Sequence, residues 1–104
     1  MESGSNLSKQ EDERIKALAL VLRAISHETR LKIMNLLNAA PKTWTQMQLE
    51  LQINPKSLRD HLKYLVDREL VKKVEPIGFE LSHVGNLILE ISMKEMLTVI
   101  ENDD

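Results

Sequence analysis

Residues 43–65, TWTQMQLELQINPKSLRDHLKYL, read as two short helices joined by a tight turn. In the second, Leu58, Leu62 and Leu65 recur at i, i+4 and i+7, the spacing of one buried helical stripe. At about 100° per residue, Lys56, Asp60, Lys63 and Asp67 then point nearly opposite, and Arg59 sits at the edge of that outer face. A helix that buries one stripe and presents Lys and Arg on the other has the form that enters a DNA major groove. An ordinary amphipathic helix with a solvated charged face has the same pattern, so the surrounding sequence decides between them.

Gln52-Ile53 makes the turn, Asn54 caps the second helix and Pro55 occupies its first position, where a missing N–H is harmless. The helix is expected over 55–68, roughly 20 Å at 1.5 Å per residue, a length that suits a major groove. In the preceding helix Thr45 and Gln48 fit a capping box, and Met47 and Leu51 form the inner face. Leu49 points away from that face. Trp44 is expected to precede the cap and pack on the helix it introduces.

Outward from this pair, Ser8-Lys9-Gln10-Glu11 is a capping box that opens a helix carrying Ile15, Leu18, Ala19, Leu22 and Ile25 on one side. Leu20 and Val21 widen its apolar face beyond what one neighbour needs. Ser26 is the expected cap of the next helix, from His27 to about Asn38, with Leu31, Met34 and Leu37 inward and Arg30 and Lys32 outward. After the central pair, the β-rich run 70–74, a type I turn at Glu75-Pro76-Ile77-Gly78, and the alternating Phe79-Glu80-Leu81 make a small hairpin. Ser82 then caps a last helix, 83–101, that is apolar almost all round, and a partner helix from a second subunit is its simplest cover. Residues 1–7 and 102–104 are expected to be disordered ends of a single domain over 8–101.

Charge is unevenly spread. The net is −2, but residues 14–53 carry +4 and residues 54–73 carry +3, while residues 1–13, 74–89 and 90–104 carry −3, −2 and −4. A basic middle between acidic ends fits a DNA face flanked by dimer-facing or solvent-facing ends. There is no cysteine, so disulfides and thiolate chemistry are excluded, which suits an intracellular, cytoplasmic protein. No run of 18 apolar residues is present, so no membrane-spanning helix is expected. With three glycines there is no phosphate-cradling loop, and no nucleophile–base set or paired acids stand out, so an enzyme is not expected. His27, His61 and His83 lie far apart, and nothing has metal-ligand spacing.

The order helix, helix, helix, helix, hairpin, helix is that of a winged helix-turn-helix, a mainly α fold with a small β-hairpin. The run from Ile25 to Leu37, ISHETRLKIMNLL, resembles the opening signature of ArsR-like transcriptional regulators. The run from Asn54 to Leu65, NPKSLRDHLKYL, resembles their recognition helix; DRELV, 67–71, resembles the exit into the wing. Leu81-Ser82-His83-Val84-Gly85 resembles the start of the last helix in this family and in related MarR-like proteins.

The resemblance covers roughly residues 18–90. It implies a homodimeric double-stranded-DNA-binding regulator whose first and last helices form the dimer interface. By position, that interface would use Ile15, Leu18, Leu22, Leu87, Ile91, Met93, Met96, Leu97 and Ile100. Lys56, Ser57, Arg59, Asp60 and Lys63 would face the bases, with Arg59 the candidate for a bidentate guanine contact. Lys42, Thr45, His61, Lys72 and Lys73 would meet phosphates.

Several positions depart from the family pattern. The cysteines and Asp/His sets of metal-sensing members are missing, so metal sensing is rejected and no cofactor is expected. The wing tip is short, Asp60 stands where a basic or neutral residue is usual, and Gln52 replaces the usual turn glycine. The exposed Leu49 and the acidic ends leave an alternative: a winged-helix protein-interaction module, or an architectural DNA-binding protein without sequence preference.

Overall fold

Asn54 does cap the second helix of the central pair: its Oδ1 accepts from the amides of Lys56 at 2.8 Å and Ser57 at 3.3 Å. Residues 7–101 are described in the computed structural model. They form α1 (Lys9–Ala24), α2 (Glu28–Ala39), β1 (Lys42–Thr43), α3 (Trp44–Leu51), α4 (Pro55–Asp67), β2 (Val71–Val74), β3 (Gly78–Leu81) and α5 (His83–Glu101). The ends expected to be disordered lie outside the described residues, apart from an exposed Leu7.

Leu58, Leu62 and Leu65 of α4 are buried, as their spacing requires, and meet Ile33, Met34 and Leu37 of α2, Met47 of α3, and Leu70 and Val71 at the start of the wing. Each such side chain contributes about 1.5–3 kcal/mol of burial. The inward face of α2 is rotated from expectation. Ile33 joins Met34 and Leu37 inside, Leu31 is half-buried, and Arg30 turns toward α4 instead of out to solvent.

Two caps differ from the expected ones. His27, not Ser26, caps α2, its Nδ1 accepting from the amide of Thr29 at 3.2 Å; the Ser26 hydroxyl donates back to the carbonyl of Arg23. At α3 the box is Thr43 with Gln46 rather than Thr45 with Gln48, so Trp44 is the first helical residue. The cause is a strand that local spacing does not reveal. Lys42 and Thr43 pair antiparallel with Phe79 and Gly78, so the expected two-stranded hairpin is a three-stranded sheet of order β1-β3-β2. Val71 to Val74 pair with Leu81 to Gly78 on the other side, and the connection between these strands contains a cis Glu75–Pro76 bond.

The end of α4 is locked to the start of α5. The amide of Leu70 donates to the Leu65 carbonyl and that of Glu69 to Val66, a Schellman arrangement with Glu69 left-handed at φ 59°. The Ser82 hydroxyl donates to the Glu69 carbonyl at 2.7 Å and accepts from the amide of Gly85 at 2.9 Å. Gly85 then packs directly on backbone: a Cβ there would lie 2.2 Å from the Leu70 carbonyl oxygen.

Beyond this junction the long helices project. Of α1 only Ala24 is buried. The Cα radius of gyration is 16.1 Å, against about 13 Å for a closed domain of some 100 residues. No described helix is long and apolar enough to cross a membrane.

Candidate nucleic-acid interface

The outer face of α4 is open to solvent, and most of its cations are already paired. Lys56 Nζ lies 2.8 Å from Asp60 Oδ2, and Lys63 Nζ lies 2.8 Å from Asp67 Oδ2, both one helical turn apart. These lysines are 78% and 73% exposed. Hydrogen bonds from the lysines hold both carboxyls below the usual carboxylate range, with Arg59 adding to the effect at Asp60 and Arg68 and Lys73 at Asp67. Both acids therefore keep their charge to lower pH than a free aspartate does. Arg59 is exposed and makes no hydrogen bond or ion pair among the described residues. It is the cation of this outer face with its full fork of donors available among the described residues.

The other expected DNA contacts divide into two groups. Ser57 is half-buried near the start of α4, and Thr45 is exposed in the first turn of α3. Lys73 is exposed and without an ion pair, and Lys72 is exposed but 3.2 Å from Glu80 across the β2–β3 ladder. Lys42 sits differently: its side chain is only 18% exposed and its ammonium lies 3.3 Å from Glu50. His61 is half-buried toward α2. Its Nδ1 accepts from Arg30 Nε at 3.3 Å, and its ring centroid lies 4.4 Å from that of His27. Burial first, then the neighbouring His27 and Arg30, push its pKa below the ordinary histidine value.

Residues absent from the sequence-level set hold α4 in place. The guanidinium carbons of Arg30 and Arg68 each lie 3.5 Å from the Tyr64 ring centroid. Two such groups at that distance must occupy opposite faces, so the ring is clamped between α2 and the end of α4. Arg30 also donates to the carbonyls of Arg23 and Ala24, tying in the end of α1. Arg68 alone was accessible to spacing, as i+4 from Tyr64; Arg30 lies 34 positions away from it.

On its sheet-facing side α4 borders a cleft of about 340 Å³ lined by Trp44, Arg59, Leu62, Lys63, Val66, Asp67, Lys73 and Phe79. It brings the free Arg59 and Lys73 to one concavity with two of the chain's three aromatics. Among the described residues no three His, Cys, Asp or Glu side chains are placed to hold a metal ion.

The expected dimer residues Ile15, Leu18, Leu22, Leu87, Ile91, Met93 and Ile100 are between 45% and 61% exposed. Leu20, Val84 and Val99 are exposed beside them on the same two helices. The side chains of Met96 and Leu97 lie outside those described.

Residues 27–73, from the cap of α2 through most of β2, match the sequence profile of the bacterial regulatory protein arsR family. No curated protein sequence matches the chain. Among solved structures, the fold resembles the homodimeric winged helix-turn-helix DNA-binding domain of Mb0332 from Mycobacterium bovis, a possible ArsR-family transcriptional regulator. That likeness has TM-score 0.75 and 14% identity, and covers 96% of this chain and 95% of that one. It also resembles the transcriptional regulator HlyU from Vibrio vulnificus, with TM-score 0.71 and 23% identity, covering 86% of this chain and 97% of that one. Quinone-bound YodB from B. subtilis is similar as well, with TM-score 0.73 and 20% identity over 81% of this chain and 94% of that one. At these identities the likeness is one of fold.

Proposed function

From an arsR-family winged helix-turn-helix whose family match spans residues 27–73, we propose that the chain is a sequence-specific, double-stranded-DNA-binding transcriptional regulator acting as a homodimer. The observation that carries this reading is α4 itself. Its leucines are buried, its opposite face is solvent-exposed, and Arg59 is unpaired at the edge of that face. In this reading α4 lies in the major groove. Arg59 donates its fork to guanine O6 and N7, while Lys56, Ser57, Asp60 and Lys63 meet neighbouring base edges. Lys72 and Lys73 on the wing and Thr45 at the start of α3 meet phosphates. Lys42 and His61 support the interface from behind, because both are half-buried as well as partnered within the fold.

The exposed apolar faces of α1 and α5 support dimerisation, since a water-soluble monomer rarely leaves so many large side chains uncovered. A two-fold dimer then presents two copies of α4 to successive major-groove faces. The regulator works without a metal ion: there is no cysteine, and His27 and His61 use their Nδ1 atoms as internal acceptors.

The test compares Arg59→Ala and Lys72→Ala on a panel of duplexes. Arg59→Ala is expected to cost about 1–3 kcal/mol on the preferred sequence and to relax base preference at one position. Lys72→Ala is expected to weaken binding about equally on all sequences. Identical losses for both variants on every duplex would contradict specific readout.

A protein-interaction reading rests on Leu49, 70% exposed on α3. It would be favoured if no duplex bound at low salt while Leu49→Asp abolished capture of a partner.

A further inference from the structure

The cleft between α4 and the sheet has features that groove readout does not require. A major-groove helix needs its cations on a convex, hydrated face. Here two cations, Arg59 and Lys73, border a concavity of about 340 Å³ whose wall is Trp44, Leu62, Val66 and Phe79. The volume lies at the lower end of small-molecule sites, room for one or two rings. Its chemistry is equally selective. The cleft's one carboxylate, Asp67, is held by Lys63 at 2.8 Å. Arg59 and Lys73 make no hydrogen bond or ion pair of their own among the described residues. An apolar wall with two cations outside any ion pair at its rim is complementary to a compact apolar anion.

We propose that this cleft binds a small cyclic or aromatic carboxylic acid, with its ring against Trp44 and Phe79 and its carboxylate on Arg59 and Lys73. A planar carboxylate matches the guanidinium fork, and the ring recovers burial of side chains that are only half-buried in the free protein. A nucleic-acid phosphate would satisfy the cations but leave the apolar wall wet. Occupation would engage Arg59, the residue assigned to base readout. Resting on that functional reading, the acid would compete with DNA and act as the regulator's effector.

Trp44 is the only tryptophan and lines the cleft, so its emission reports occupancy directly. The full chain, without DNA, is titrated with benzoate and cyclohexanecarboxylate and, in parallel, with benzamide and cyclohexanecarboxamide as neutral counterparts of the same shape. The acids are expected to shift Trp44 emission saturably with a Kd of about 1 mM, and the amides to bind at least about tenfold more weakly. Lys73→Gln, at an exposed position, is expected to weaken the acids about tenfold and leave the amides unchanged. Val66→Phe, checked for folding by circular dichroism, is expected to fill the cleft and abolish both.

Equal affinity for acids and amides, no saturable change up to 50 mM, or unaltered acid binding in Lys73→Gln would overturn the proposal. A second arm adds benzoate to the DNA complex, where release of the duplex is expected and its retention at saturating benzoate would refute the effector role. Because the fluorescence arm contains no DNA, its failure leaves the DNA reading standing. A protein that binds no DNA leaves the fluorescence result standing.

Discussion

Replacing Asp67 by Asn removes the carboxylate that engages Lys63 while keeping the shape of the side chain. The pair is 2.8 Å apart, one helical turn along α4, with Lys63 73% and Asp67 53% exposed. In that setting an ion pair contributes little to the helix, so the variant is expected to fold normally with nearly unchanged stability. The effect on DNA is larger. On the proposed reading, wild-type Lys63 must exchange an internal partner for a phosphate or base, and Asp67 brings a negative charge toward the duplex. With Asn, Lys63 is free, and Lys73, whose field also acts on Asp67, loses an opposing charge.

One additional phosphate neutralised steepens the slope of log K against log salt by about 0.9. Between 50 and 200 mM salt this amounts to about 3.5-fold of extra salt sensitivity. Adding Asp60→Asn, which frees Lys56 in the same way, is expected to double the change in slope to about 1.8. The assay is fluorescence anisotropy of a labelled duplex at four or five salt concentrations. Tighter binding at low salt with a steeper slope supports the account. Parallel lines for wild type, single and double variants would refute it, because they would mean that releasing either lysine adds no charge neutralisation at the duplex.

Two further predictions concern the fold. Gln52 and Glu69 hold left-handed backbone at φ 52° and 59°, where a side chain is strained and glycine is not. Gln52→Gly is therefore expected to stabilise the chain by about 0.5–1 kcal/mol, net of the added freedom of the unfolded state. This is readable as a melting-temperature rise of a few degrees at matched protein concentration, and a fall would show the strain is not there. For His61, the folded pKa is depressed below the unfolded value of about 6.5, so the unfolded chain takes up the proton first. Its contribution is present above that pH and is lost as pH falls through the folded value. The facing His27 and Arg30 act in the same direction as burial, and Asp60 opposes them. Denaturant midpoints should fall between pH 7 and 5, and His61→Gln, which keeps an acceptor for Arg30, should flatten that fall; an unchanged profile in the variant would contradict the assignment.

The parts of this fold that were legible in the sequence are those set by local chemistry. Asn54-Pro55 and Ser8 with Glu11 define helix starts because the capping groups lie within three residues of the amides they serve. The leucine stripe of α4 needed only its own period. What was not legible depends on pairing across the chain. Thr43–Gln46 and Thr45–Gln48 have the same capping spacing, and the choice between them follows from β1, which ends at Thr43 because Lys42 and Thr43 pair with β3. A two-residue strand has no pattern of its own. The same limit applies at the proposed DNA face. The basic outer side of α4 was apparent, and its near-neutralisation by Asp60 and Asp67 was implicit in the i,i+4 spacing. The inward turn of His61 and Arg30 was not, since it depends on α2 packing against α4 around Tyr64.

The most direct test of the central claim, that two copies of α4 read one duplex, is selection of bound DNA from a random pool by the full chain, followed by footprinting of the enriched sequence. The account predicts an inverted repeat whose half-site centres lie about 10 base pairs, or a multiple of one helical turn, apart. In each half-site a guanine should be protected in wild type and unprotected in Arg59→Ala. A pool that enriches nothing, or a lone half-site whose protection is indifferent to Arg59, would contradict it.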